Sequence, residues 1–277
     1  MKIWQIDFYR RPLHDDRGES IWELVVYDPT TGQLYTAFCP QSTATADWLM
    51  AQLGQMADQL PDRLQVFRPQ CFSLLEVACN PLGITVEATR RTPELKQILQ
   101  ERVQVYAQLP GYTRQSYSPI AIEQPPPLPL PEHLQGERWQ FATLTAADLE
   151  ETLLEKPFPV LSAPPDLRPK ALSLASVTPI PGVVIYGGRR SLKLARWLEE
   201  QNPVSLHFTQ AETSGLVLNA GLCDRWILVT FTDPEVARAA TTFEQRKTPS
   251  AGLHFLLVQP DDSGITFTGL WLLQPVE

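Results

Sequence analysis

Residues 124–134 read QPPPLPLPEHL, and this stretch limits the chain's architecture more than any other. Each proline lacks an amide donor and has its φ fixed by the ring, so the segment is predicted to enter neither helix nor sheet. A stiff, polyproline-like spacer is expected there, with an ordered block on either side. The chain has 277 residues, which suits two domains of ordinary size. The predicted division is an N-terminal domain over 1–123, a proline-rich linker over 124–136 and a C-terminal domain over 137–277.

Ahead of the linker, alternating apolar and polar residues predict strands over 3–10, 20–28 and 33–39. The connections HDDRGES and DPTTGQ supply Asp, Gly and Pro at turn positions. A helix is expected from about Thr43 to Leu60, because Leu49, Leu53, Met56 and Leu60 share one face, and Pro61 stops it. RLQVF (63–67) reads as a strand, residues 70–80 as a helix, ITVEA (84–88) as a strand and 93–108 as a helix opened by Pro93. The order β-β-β-α-β-α-β-α is that of the ribonuclease-H-like fold. Beyond the linker, RWQFATLT, GVVIY, VSLHF, GLVLN, WILVTF and a closing hairpin alternate with three helices. The fold class is therefore α/β with mixed sheets, in two α/β domains.

Apolar residues make up 43% of the chain and charged ones 19%, enough for real cores. No apolar run reaches the ~18 residues of a membrane span, and MKIWQIDFYRR enters a strand directly, so no secretory signal is expected. The net charge of −8 works against non-specific nucleic-acid binding, which phosphate neutralisation drives; a basic contact would have to be focused. Cys39, Cys71, Cys79 and Cys223, like His14, His133, His207 and His254, lack metal-ligand spacing, so no metal or cofactor is expected and the thiols are read as reduced.

Ribonuclease-H-like nucleases hold two metal ions between acids from the first strand, the first helix, the end of the fourth strand and the last helix. Asp7 suits the first position, Asp47 or Asp58 the second, and Glu94 or Glu101 the last. The fourth strand, however, ends in FRPQ, with Arg68 and Gln70 where an acid is required. An arginine there repels metal ions, so Asp7 is expected to pair with an arginine or to accept backbone hydrogen bonds near the sheet edge, and the chain is read as a non-enzyme. A metal-dependent nuclease and a protein-interaction scaffold presenting the PPLP stretch are the competing readings.

Arginines are the main positive feature. Arg10–Arg11, Arg90–Arg91 and Arg189–Arg190 each follow a predicted strand, and Arg68 and Arg114 stand singly. The guanidinium fork suits phosphate, and Trp4, Phe8, Tyr9, Trp22 and Phe67 lie near in sequence, as in single-strand binders. The expected RNA-contacting set is Arg10, Arg11, Arg68, Arg90, Arg91, Arg189 and Arg190. The turn YGGRRS (186–191) adds amides at a helix start that could hold an anion.

WQIDFYRRP followed by IWELVVYD resembles the opening of the Tab-two/Atab-two family. The likeness continues through FRPQ, LGITVEATRRTPEL (82–95), LPEHLQGERWQF (130–141) and IPGVVIYGGR (180–189) to the terminal GLHFLLVQ and GLWLLQ. This resemblance implies a regulatory RNA-binding protein supporting translation and biogenesis of photosystem subunits. Photosystem I is the principal one, and the implied partners are a messenger leader and either the translation machinery or another protein factor. The opening without a transit peptide leads to the expectation of a cyanobacterial, cytoplasmic member.

Overall fold

A computed structural model describes residues 1–56, 60–210 and 214–276 of the chain. It is mixed α/β and divides into two compact units, Met1–Glu123 and Gln124–Glu277.

The first unit runs β1 (Ile3–His14), β2 (Ser20–Asp28), β3 (Gln33–Pro40), α1 (Ala46–Gln55), β4 (Arg63–Val66), α2 (Pro69–Cys79), β5 (Thr85–Ala88) and α3 (Pro93–Tyr106). Its sheet has the order β3-β2-β1-β4-β5, antiparallel from β3 to β1 and parallel from β1 to β5. The local chemistry explains the turns. Asp15 accepts from the amides of Arg17 and Glu19, and Asp28 from those of Thr30 and Thr31, with Gly18 and Gly32 at positive φ closing each connection. Thr45 caps α1 by accepting from the Trp48 amide, two residues later than the sequence suggests. The helix ends at Gln55, so Leu60 packs on the core from outside it, and Asp58 lies outside the described residues.

Alternation along β1 sorts the sheet's two faces. Trp4, Ile6 and Phe8 join Leu24, Val26, Leu49, Leu53, Leu64 and Leu75 in a core beneath α1 and α2. Gln5, Asp7, Tyr9 and Arg11 alternate with that set and so lie on the opposite face, where Val25, Phe67, Leu95 and Leu99 pack with α3. A register shift between Arg10 and His14 carries β1 four residues past its expected end, and the Leu13–Tyr112 bridge ties down the chain after α3.

The second unit comprises β6 (Leu128–Pro129), β7 (Arg138–Thr145), α4 (Ala146–Glu155), β8 (Val160–Ser162), β9 (Pro179–Tyr186), α5 (Ser191–Gln201), β10 (Pro203–Thr209), β11 (Ser214–Ala220), β12 (Asp224–Phe231), α6 (Pro234–Arg246), β13 (His254–Gln259) and β14 (Gly269–Leu273). The strands form two sheets, β7-β9-β13-β14-β8 and β10-β11-β12-β6. In the first of these, Val183, Ile185, Leu256 and Val258 pack with α5 and the smaller sheet, while Val184, Tyr186, Phe255 and Leu272 pack with α4.

The proline-rich stretch behaves differently from its expectation. Leu128–Pro129 is a short parallel edge strand on β12, Leu130 donates its amide to the Ile227 carbonyl at 3.1 Å, and Leu130 and Leu134 are buried. An edge strand needs amide donors on one side only, which is how prolines are accommodated there. A buried polar cluster also sits in this unit. His254 Nε2 accepts the Leu206 amide at 2.8 Å, so Nδ1 carries the proton and donates to the Gly252 carbonyl at 2.8 Å. Burial, reinforced by Lys247, pushes the His254 pKa from its ordinary 6.5 down to about 3.

Candidate nucleic-acid interface

Asp7 is fully buried, and each of its oxygens accepts from a different guanidinium. Oδ1 receives Arg68 Nε at 2.7 Å and Oδ2 receives Arg11 Nη2 at 2.9 Å. Arg11 then reaches Glu23 Oε2 through Nε at 3.0 Å and the Tyr117 hydroxyl through Nη1 at 3.1 Å. Glu23 also accepts from Arg102 and, at 2.5 Å, from the Tyr106 hydroxyl, both side chains coming from α3. Arg68 spends its remaining donors on the carbonyls of Pro119, at 2.6 Å, and Ala121, at 3.1 Å, and its plane covers the Tyr9 ring at 4.1 Å. Two carboxylates thus face three guanidinium groups, and both oxygens of each acid are taken.

Burial alone would lower the Arg11 pKa. Asp7, with Tyr106, Tyr117 and Glu23, more than offsets that and holds its pKa well above the usual arginine value. Burial pushes the Tyr106 phenol up, and Glu23 adds to the shift, so it stays protonated and donates.

A metal ion brought to Asp7 would meet Arg68 and Arg11 instead of further acids. Asp47 is exposed on α1, against the other face of the sheet. Glu94 accepts from Gln5 and Glu101 from Gln97. Among the described residues, no cluster of three His, Cys, Asp or Glu side chains could hold a metal. The Asp7 site is an ionic knot, and these donors do not suit two divalent cations.

The arginines expected to meet RNA fall into three groups. Arg11 and Arg68, exposed by 4% and 1%, are brought together at Asp7, and neither reaches solvent. Arg90 (8% exposed) and the half-buried Arg91 follow β5 at the same edge of the parallel strands. Arg10 points outward on β1, and Arg189 and Arg190 are exposed in the second unit. Trp4, Phe8 and Phe67 are core residues, while Tyr9 and Trp22 are half-buried, so the first unit has no open stacking platform among these rings.

The YGGRRS turn is also organised differently from its expectation. The Gly187 amide donates to the Gln259 carbonyl at 2.9 Å and the Gly188 amide to Pro260 at 3.0 Å. Arg190 N–H returns to Gly187 at 2.9 Å. These three amides are therefore not available to an anion. Two basic side chains escaped the sequence reading: Lys193 and Arg196, both exposed on α5. They stand three residues apart, a helical spacing visible in the sequence once the helix is drawn.

Residues 3–102 match a family model described as RNA-binding protein Tab2/Atab2 N terminal. Residues 117–274 match one described as RNA-binding protein Tab2/Atab2, C-terminal domain. The chain belongs to the Tab2/Atab2 family. Two relatives agree. The chloroplastic protein TAB2 homolog of Zea mays is 31% identical over 99% of this chain and 71% of its own length. The Arabidopsis thaliana homolog of the same name is 31% identical over 99% of this chain and 74% of its own. The Tab2/Atab2 boundary and the physical one differ. Residues 117–123 fall in the C-terminal family match, yet Tyr117, Pro119 and Ala121 belong to the first unit, through Arg11 and Arg68.

Proposed function

We propose that this Tab2/Atab2 member is a non-catalytic RNA-binding factor. In this reading it supports translation and biogenesis of photosystem subunits, photosystem I among them, in the cytoplasm of a cyanobacterium. It engages a photosystem messenger leader together with the translation machinery or another protein factor. Membership of an RNA-binding family across both units carries the reading. No described helix is long and apolar enough to cross a membrane.

The Asp7 knot supports the non-catalytic part, because Arg68 stands where a nuclease acid is required at the fourth strand's end, and Arg68 and Arg11 take both oxygens of Asp7. The sheet order β3-β2-β1-β4-β5 supports a ribonuclease-H-like ancestry for the first unit. Among the candidate contacts, Arg10, Arg91, Arg189 and Arg190 carry the proposal because they reach solvent, whereas Arg11, Arg68 and Arg90 serve the interior.

Crosslinking in cells followed by sequencing of bound RNA tests this reading. Photosystem leaders should be enriched over bulk messenger. Recovery of no RNA, with protein partners that survive ribonuclease unchanged, overturns it in favour of a protein scaffold. Incubation of the full chain with Mn²⁺ and labelled RNA should leave the RNA intact; cleavage lost on Asp7→Asn would overturn the non-catalytic assignment.

A further inference from the structure

The turn before α5 and the first half of that helix depart from the charge pattern of the rest of the second unit. From Arg189 to Arg196 the sequence RRSLKLAR contains four cations and no acid, in a chain of net charge −8. Lys193 and Arg196 stand three residues apart on one face of α5, and Arg189 and Arg190 precede them in the 3-10 turn that leads into the helix. Leu194, Ala195 and Leu198 hold the opposite face in the core, so the stripe is rigidly presented. All four cations are exposed. Elsewhere in the unit Arg138 is paired with Asp262 at 2.7 Å, Arg238 with Glu235 at 3.6 Å and Lys247 with Glu244 at 2.9 Å. Among the described residues, none of the four α5 cations has such a carboxylate partner.

Beside the stripe lies a cleft of about 330 Å³, lined by His133, Leu134, Leu192, Lys193, Arg196, Trp197 and Glu200, so one carboxylate shares it with two cations. His133 comes from the turn that ends the proline-rich stretch, so the docking of that stretch builds one wall. Trp197 is half-buried, with its ring edge-on to Trp226 at 5.0 Å. Cations on a rim and rings in the adjoining cleft are the two components that hold unpaired nucleic acid. The backbone tracks the charge while a base enters beside an aromatic surface. Bases in a duplex are not free to enter such a cleft, whereas splayed single-stranded bases are.

We infer that Arg189, Arg190, Lys193 and Arg196, with the His133–Trp197 cleft, form the surface that grips single-stranded RNA. This deepens the RNA-binding reading and rests on it. It also answers the difficulty of the acidic charge: four exposed cations within eight residues outnumber the neighbouring carboxylates of Glu137 and Glu200 and concentrate the attraction locally.

The test is a salt titration of the full chain against a labelled, unstructured single-stranded RNA and a duplex control. The parent is compared with the quadruple variant Arg189→Gln, Arg190→Gln, Lys193→Gln, Arg196→Gln. A second quadruple variant, Arg17→Gln, Arg114→Gln, Arg138→Gln, Arg238→Gln, removes the same charge from exposed positions elsewhere. The parent should prefer the single strand. The α5 variant should bind roughly tenfold or more weakly, with its log–log salt slope reduced by about 0.7 for each phosphate it no longer neutralises, while the second variant keeps most of both. Unaltered thermal melting of the α5 variant separates weakened binding from a damaged fold. Equal weakening in the two variants, or none in the α5 variant, overturns this surface while leaving RNA binding standing. A parent that binds no RNA overturns the RNA-binding reading and this surface together.

Discussion

Arg10–Arg11 on β1 and Arg189–Arg190 before α5 are the same dipeptide beside a strand, yet their environments are opposite. Along β1 the side chains alternate, so Arg10 faces water while Arg11 turns beneath α3 toward Asp7 and Glu23. In the second unit the strand has already ended. A 3-10 turn at Gly188–Arg190 places both side chains outside the sheet, where no layer covers them. An arginine's role here is set by the period of its element and by what is stacked above it. Where a helix covers the sheet, arginine becomes internal mortar that neutralises acids. Where nothing covers it, arginine remains available to a polyanion.

The most severe way to break the comparison is to remove an internal arginine. Arg68→Ala leaves Asp7 half-compensated and strips two carbonyls of their donor, so it should cost about 3–5 kcal/mol in a denaturant titration. A loss below about 1 kcal/mol, the level of a surface pair, would place this arginine with the exposed ones. Tyr106→Phe probes the same knot through a neutral donor. Loss of its bond to Glu23 should cost about 1.5–3 kcal/mol, measured in the same way.

The second unit has internal polar mortar of its own, and pH exposes it. Because the folded His254 pKa is depressed, the unfolded chain binds the proton more readily than the folded one as pH falls through 6.5. Its contribution is therefore intact above about pH 7 and shrinks steadily toward the folded value. At about pH 5 the loss should reach about 2 kcal/mol. Comparing the denaturation free energies of parent and His254→Gln at both pH values isolates the effect; parallel pH dependences would refute it. The smallest effect belongs to the quadruple glutamine variant at Arg189, Arg190, Lys193 and Arg196, whose stability should change by no more than about 0.5 kcal/mol per site because all four side chains are exposed.

Much of the fold was legible because its long elements carry strong periodicities. Strands 20–28 and 138–145 and the helices opened by Pro93 and Pro234 lie where alternation and capping residues place them. What escaped is short or cooperative. β6 and β8 span two and three residues, too few for a pattern, and exist only because β12 and β14 offer free edges. At the site, the Arg68–Asp7 pairing was foreseeable from charge at the fourth strand's end. Asp7, Tyr9 and Arg11 also share a face by simple alternation. The partnership with Glu23 was not readable, since it depends on the hairpin register that sets Tyr9 opposite Glu23. Nor was the return of residues 117–121, which have no periodicity and are recruited by side chains already in place.

That recruitment also bears on time. Asp7 and Arg68 are 61 positions apart, Glu23 and Tyr106 83, and Arg11 and Tyr117 106. Each bond waits on the closure of a long loop, so the knot tightens late, after the β1–β2 hairpin and the local helices have formed. Interactions made after the folding barrier slow escape from the native state more than they speed arrival. The three guanidinium groups beneath α3 therefore act chiefly on the lifetime of the first unit, setting how rarely it opens once it has closed.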